Sequence, residues 1–152
     1  MSEYVPLFQE NLVDDLKDGQ FWMLVACSLV NLTHWRQAKP VFEELRETCD
    51  GWSWNLARIP LDVLVDVLRP LGMQNRRART LHQLSVEWQN MLAEKVEAED
   101  SHVTRRDVER LPGCGRYAAD SWAIFVEKDL TVVPNDGRLN EYLDHVKEKV
   151  DD

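Results

Sequence analysis

Apolar positions along this chain recur mostly at helical spacing, with one stretch where they crowd together almost without interruption. Residues 20–32, QFWMLVACSLVNL, form that stretch. It is too short to cross a bilayer, so it predicts a buried central helix. Ahead of it, Leu7, Leu12, Val13 and Leu16 repeat at helical spacing with an acidic outer face, which predicts a lead-in helix ending near Gly19. Behind it, Thr33 stands where a cap belongs for a helix over about His34–Thr48. Val41, Phe42 and Leu45 would face inward there, with a kink at Pro40. Gly51-Trp52-Ser53 breaks the chain, Ser53 can cap a short turn through Arg58, and Pro60 opens a helix to Leu68. Arg69-Pro70-Leu71-Gly72-Met73 reads as a helix stop and tight loop, followed by a long helix over about Asn75–Lys95. Residues 94–100 are an acidic connector. Thr104 and Asp107 make a capping box for a short helix. A tight Leu111-Pro112-Gly113-Cys114-Gly115 turn then leads into a helix over Arg116–Val126, where Ala118, Ala119, Trp122 and Ala123 can pack closely. Leu139, Tyr142, Leu143 and Val146 set a last helix over about Leu139–Val150. The sum is all-α, about eight or nine helices, with no internal repeat.

Composition bounds this picture. The 152 residues suit a single domain, 1–152, and a hydrophobic share of 44% is enough for a real core. Six tryptophans are many for this length, and most are expected in that core. No apolar run is long enough for a membrane span, and the acidic start lacks the basic-then-apolar pattern of a signal peptide. Cys27, Cys49 and Cys114 form no CxxC pair, which predicts reduced thiols in a cytoplasmic or nuclear setting. His34, His82, His102 and His145 show no metal-ligand spacing. The net charge of −9 disfavours a polyanionic partner, but its distribution matters more than its sum. Acids crowd residues 3–18, 94–100 and 141–152, whereas residues 69–79 carry Arg69, Arg76, Arg77 and Arg79 with no acid. Arg105, Arg106, Arg110 and Arg116 surround the glycine turn. The bland alternative is that all of these are solvated helix faces.

The stretch from Leu111 to Asp136 carries the chemistry. Pro112 fixes φ, and Gly113 and Gly115 open backbone conformations closed to other residues. The turn leaves the first amides of the following helix pointing outward, where amides and helix dipole together suit a phosphate. That favours a sequence-independent grip on a nucleic-acid backbone. Asp136, beside Pro134 and Gly137, can cap the last helix; it can equally present a carboxylate.

Leu111-Pro112-Gly113-Cys114-Gly115-Arg116-Tyr117-Ala118-Ala119, followed by an apolar helix and Asp136, resembles the helix-hairpin-helix DNA glycosylases, the superfamily of endonuclease III. Within it, Val133-Pro134-Asn135-Asp136-Gly137-Arg138-Leu139-Asn140-Glu141-Tyr142 looks most like the catalytic loop of the methyl-CpG-binding thymine glycosylases. Residues 68–81, LRPLGMQNRRARTL, resemble a second signature of that superfamily. The resemblance implies a minimal two-lobed glycosylase fold over roughly residues 20–150, with the hairpin motif at about 104–127 and the catalytic loop at 133–138. It implies double-stranded DNA with a damaged, mispaired or modified base as partner, no membrane, and a monomer in the nucleoid-bearing cytoplasm or the nucleus. Residue by residue, it implies that Asp136 is the catalytic carboxylate, that Tyr117 is the second catalytic residue, and that Leu111, Gly113, Cys114, Gly115 and Arg116 hold a phosphate. Asn31 and Tyr117 would shape the base pocket. Leu32 would wedge into the duplex where thymine-glycosylase relatives have an arginine, and Leu71 or Met73, beside Gly72, would supply a second wedge. Arg76 and Arg77 would neutralise phosphates. Many relatives carry a four-cysteine iron–sulfur cluster; the cysteines for it are missing here, so none is expected. In relatives the hairpin carbonyls can also hold a monovalent cation, which side chains cannot reveal.

Tyr117 bears on reaction type. Bifunctional relatives place a lysine at this position and use it as a Schiff-base nucleophile. Tyrosine cannot form an imine, so the expectation is a monofunctional glycosylase in base excision repair. It would hydrolyse the N-glycosidic bond of a flipped thymine, uracil or 5-substituted uracil opposite guanine. Two other readings stay open at this point: a phage-type enzyme of the same fold that modifies 5-substituted thymine, and a non-catalytic DNA-binding module.

Overall fold

A computed structural model describes residues 4–151 apart from Phe8 and Leu16. Every regular element among the described residues is helical, and none is a strand. The chain order is α1 (Gly19–Leu29), α2 (Trp35–Thr48), α3 (Ser53–Leu56), α4 (Leu61–Leu68), α5 (Gln74–Glu97), α6 (Arg105–Glu109), α7 (Arg116–Ser121) and α8 (Gly137–Asp151). Short 3-10 turns occupy Leu12–Asp14 and Arg69–Leu71, and α7 runs on through a π-turn at Trp122–Val126.

The apolar run becomes the central helix, as its pattern demands. Phe21, Trp22, Met23, Leu24 and Val25 are all fully buried. α1 packs against α2, α5 and α7. α5 is amphipathic: Ala78, Leu81, Leu84 and Trp88 face the core, and α3 and α4 pack along it. The capping box forms as expected. The Thr104 hydroxyl accepts from the Asp107 amide, while the Asp107 carboxylate accepts from the Thr104 amide at 2.8 Å.

Several local expectations need correction. The lead-in helix is replaced by turns around one 3-10 turn at Leu12–Asp14, its Leu16 lying outside the described residues. Capping of α2 falls to His34, whose Nδ1 accepts from the Arg36 amide at 3.1 Å; Thr33 is engaged elsewhere. Trp52 occupies the N-cap of α3, and Ser53 is the buried first residue, its amide donating to Asp18 at 2.7 Å. Only Trp22, Trp88 and Trp122 of the tryptophans are buried, while Trp54 is exposed and stacks on Trp52. The three cysteines are free and buried. No helix among the described residues is long and apolar enough to cross a membrane.

Candidate active site and nucleic-acid interface

Four stretches far apart in sequence meet at one cleft of about 510 Å³. Leu7 and Gln9 come from the N-terminal segment, Asn31, Leu32 and Trp35 from the α1–α2 junction. Gly113, Gly115, Arg116, Tyr117 and Asp120 come from the hairpin and α7, and Asn135, Asp136 and Arg138 from the start of α8. Cys27 lines the same cleft, its thiol pushed up to about 12 by burial, so it stays neutral.

Two carboxylates reach this cleft, and their environments separate them. Asp120 is buried and pairs with both Arg105 and Arg116, the latter at 3.5 Å. Its charge is spent on the scaffold. Asp136 caps α8 with one oxygen, accepting from the Leu139 amide at 2.9 Å. Its other oxygen has no hydrogen-bond donor among the described residues, and Asp136 is one of the residues that line the cleft. The loop that presents it is fixed by Asn140, whose side-chain amide donates to the carbonyls of Pro134 and Asp136. Capping and presentation into the cleft are therefore roles of the same side chain.

Tyr117 lines the same cleft and is half-buried. Burial, together with the nearby Asp136 charge, raises its phenol well above the ordinary range, so it remains a neutral hydroxyl. That hydroxyl accepts from Gln9 Nε2 at 2.5 Å, which leaves its own proton free to donate. Gln9 is buried to 1% exposure and is the clearest site residue that sequence reasoning missed. A glutamine among turns has no periodicity to mark it; its partner lies 108 positions away. Arg138 was also missed. It ties the site to the N-terminal segment by donating to the Val5 carbonyl at 2.6 Å and to Glu141 at 2.9 Å.

The hairpin turn forms, but its two glycines differ. Gly113 has φ +76, and a Cβ there would lie 2.8 Å from Thr80 Cγ2 and 2.9 Å from Ser28 Oγ, so glycine is required twice over. Gly115 has an ordinary extended conformation, contrary to expectation, and a Cβ there would meet nothing within 4 Å. It lines the cleft, so a side chain there would stand at the cleft wall. Among the described residues, the Arg116 and Tyr117 amides find no backbone acceptor. The side chains of Leu111 and Cys114 point into the core, so those two residues can offer a ligand only backbone.

Of the other expected interface residues, Leu32 stands out with 85% exposure and a left-handed φ of +62. Asn31 is exposed at the cleft, and its side chain makes no hydrogen bond among the described residues. Met73, not Leu71, forms the exposed tip of the second loop: Met73 has φ +48 and 48% exposure, whereas Leu71 packs against the core. Gly72 adopts φ +75. Arg76 is exposed, as a phosphate contact requires. Arg77 is not: its guanidinium turns inward, is 8% exposed, and spends its donors on protein oxygens. The helical phase held that signal, because Arg77 shares a face with the buried Leu81, Leu84 and Trp88.

No protein-family model matches the chain. A curated plant protein does. Over 126 residues the chain is 31% identical to the methyl-CpG-binding domain protein 4-like protein of Arabidopsis thaliana. The match takes in 82% of this chain and 25% of that protein, so the chain spans about a quarter of the length of the relative.

Proposed function

We propose that this chain is a monofunctional DNA glycosylase domain that hydrolyses the N-glycosidic bond of a flipped pyrimidine, thymine or a uracil derivative, mispaired with guanine. The observation that carries the reading is the meeting of Asp136, Tyr117 and Gly115 at one cleft, with one Asp136 oxygen unengaged among the described residues. The likeness to a methyl-CpG-binding domain protein 4-like protein supports the same class of DNA-directed function.

Loss of a base from deoxyribose builds positive charge on the sugar. A carboxylate held by its own helix N-terminus stabilises that charge and orients a water without reorganising. Asp136 fits this role. The neutral Tyr117 hydroxyl, fixed by Gln9, offers a hydrogen bond to a pyrimidine carbonyl or to the sugar. The unfilled amides at the start of α7, with Arg116 beside them, would hold a backbone phosphate. Absence of a lysine from the hairpin supports hydrolysis without strand scission.

The test is incubation of the protein at low salt with duplexes carrying G·T, G·U or G·5-hydroxymethyluracil, followed by alkali. Strand breaks appearing only after alkali are the expected result. An altered but intact base would indicate modification instead, and binding without change in any duplex would indicate a non-catalytic module.

A further inference from the structure

Arg77 is a charge buried without a carboxylate, and its partners explain why. It sits in the first turns of α5, and none of the ion pairs among the described residues includes it. Its Nε donates to the Gly72 carbonyl at 3.1 Å. Nη1 donates to the Leu29 carbonyl at 3.2 Å, and Nη2 donates to the Asn31 carbonyl at 3.2 Å and to Thr33 Oγ1 at 2.5 Å. Leu29 ends α1, so the guanidinium satisfies carbonyls orphaned at a helix C-terminus, where the dipole favours a cation. Burial lowers its pKa, but an arginine remains charged.

One planar group thus holds two loops that are remote in sequence. Each loop carries a large apolar residue that is both exposed and left-handed: Leu32 lies between Asn31 and Thr33, and Met73 follows Gly72. A non-glycine residue at positive φ is strained and persists only where its surroundings fix it. An exposed hydrophobe is a poor reason to accept strain unless it meets something apolar on binding, such as an opened base step.

We propose that Arg77 is a positioning residue that locks Leu32 and Met73 at a fixed separation, so that the two tips enter one duplex together. The ligand in this inference rests on the glycosylase reading; the clamp does not. Leu32 and Met73 act as a pair only while Arg77 joins their loops. Their individual losses are then non-additive in the native background and additive once the clamp is gone.

The experiment compares R77M and R77K with the native chain in two measurements. Amide hydrogen exchange at residues 31–33 and 72–73 reads the clamp without DNA. Excision from duplex and from single-stranded uracil DNA reads its consequence, since wedges matter only in a duplex. R77M is expected to speed exchange in both loops together and to cut duplex excision by roughly tenfold or more, with single-strand excision changed by less than about threefold. R77K, which keeps charge and some donors, is expected to fall between. Exchange that rises in one loop only, or in neither, overturns the clamp. Equal loss on both substrates, in R77K as well as R77M, overturns the positioning role in favour of general structural support. If the native chain excises nothing, the glycosylase reading fails while the exchange result still decides the clamp.

Discussion

At the residue scale the decisive contrast is between two aspartates at one cleft. Asp120 is neutralised by Arg105 and Arg116; because both arginines still reach solvent, Asp120→Ala should cost only about 1 kcal/mol in urea unfolding. An unchanged midpoint would show that the pairs contribute nothing. The two hairpin glycines provide a second contrast. Gly113→Ala meets Thr80 and Ser28 at positive φ and should destabilise by about 1–3 kcal/mol. Gly115→Ala should leave stability within about 0.5 kcal/mol while weakening duplex binding, because its methyl group projects into the cleft. Equal stability losses in the two variants would show that openness is not what Gly115 supplies. Gln9→Ala should slow turnover more than it weakens binding, by freeing the Tyr117 hydroxyl; an unaltered kcat would sever Gln9 from the chemistry.

At the scale of elements, α6 depends on its capping box. Thr104→Ala should cost about 1 kcal/mol. Burial alone would raise the Asp107 pKa, but the Thr104 amide and hydroxyl and the Lys95 ammonium outweigh it and hold the carboxyl below its ordinary value. A depressed folded-state pKa stabilises above the unfolded value and is lost as pH falls through the folded one. The native chain should therefore lose part of its stability below about pH 4, and Asp107→Asn should remove that part of the acid dependence; parallel pH curves would contradict it. The box was legible in the sequence because both partners lie within one turn. So was α1, whose apolar run admits no exposed face, and the hairpin, whose turn chemistry is local. The resemblance to known glycosylases singled out Asp136, and the structure places that residue at the cleft. The N-terminal segment was not, since Gln9, Val5 and Tyr4 are placed by contacts with Tyr117, Arg138 and His145 across the whole chain. Arg77 was read as surface because arginine usually is, although its phase on α5 put it inward.

At the scale of the whole molecule, a net charge of −9 must coexist with binding to a polyanion. Arg105, Arg116 and Arg77, all near the cleft or its loops, are engaged by protein groups, whereas Arg76, Arg79, Arg106 and Arg110 are exposed and in no ion pair among the described residues, as is Arg36 beside the cleft. Duplex binding should accordingly be weak, with log K falling against log salt at a slope of about −3 to −5. A slope near zero would mean that phosphates contribute little to recognition. The account stands or falls on Asp136, which is suited to a clean substitution because asparagine also caps a helix. The direct measurement is alkali-revealed abasic-site formation by Asp136→Asn beside the native chain on G·T and G·U duplexes, with affinity followed by fluorescence anisotropy. The expected result is a loss of about a thousandfold in turnover with affinity held within about threefold. Native-like turnover by the asparagine variant would contradict the account.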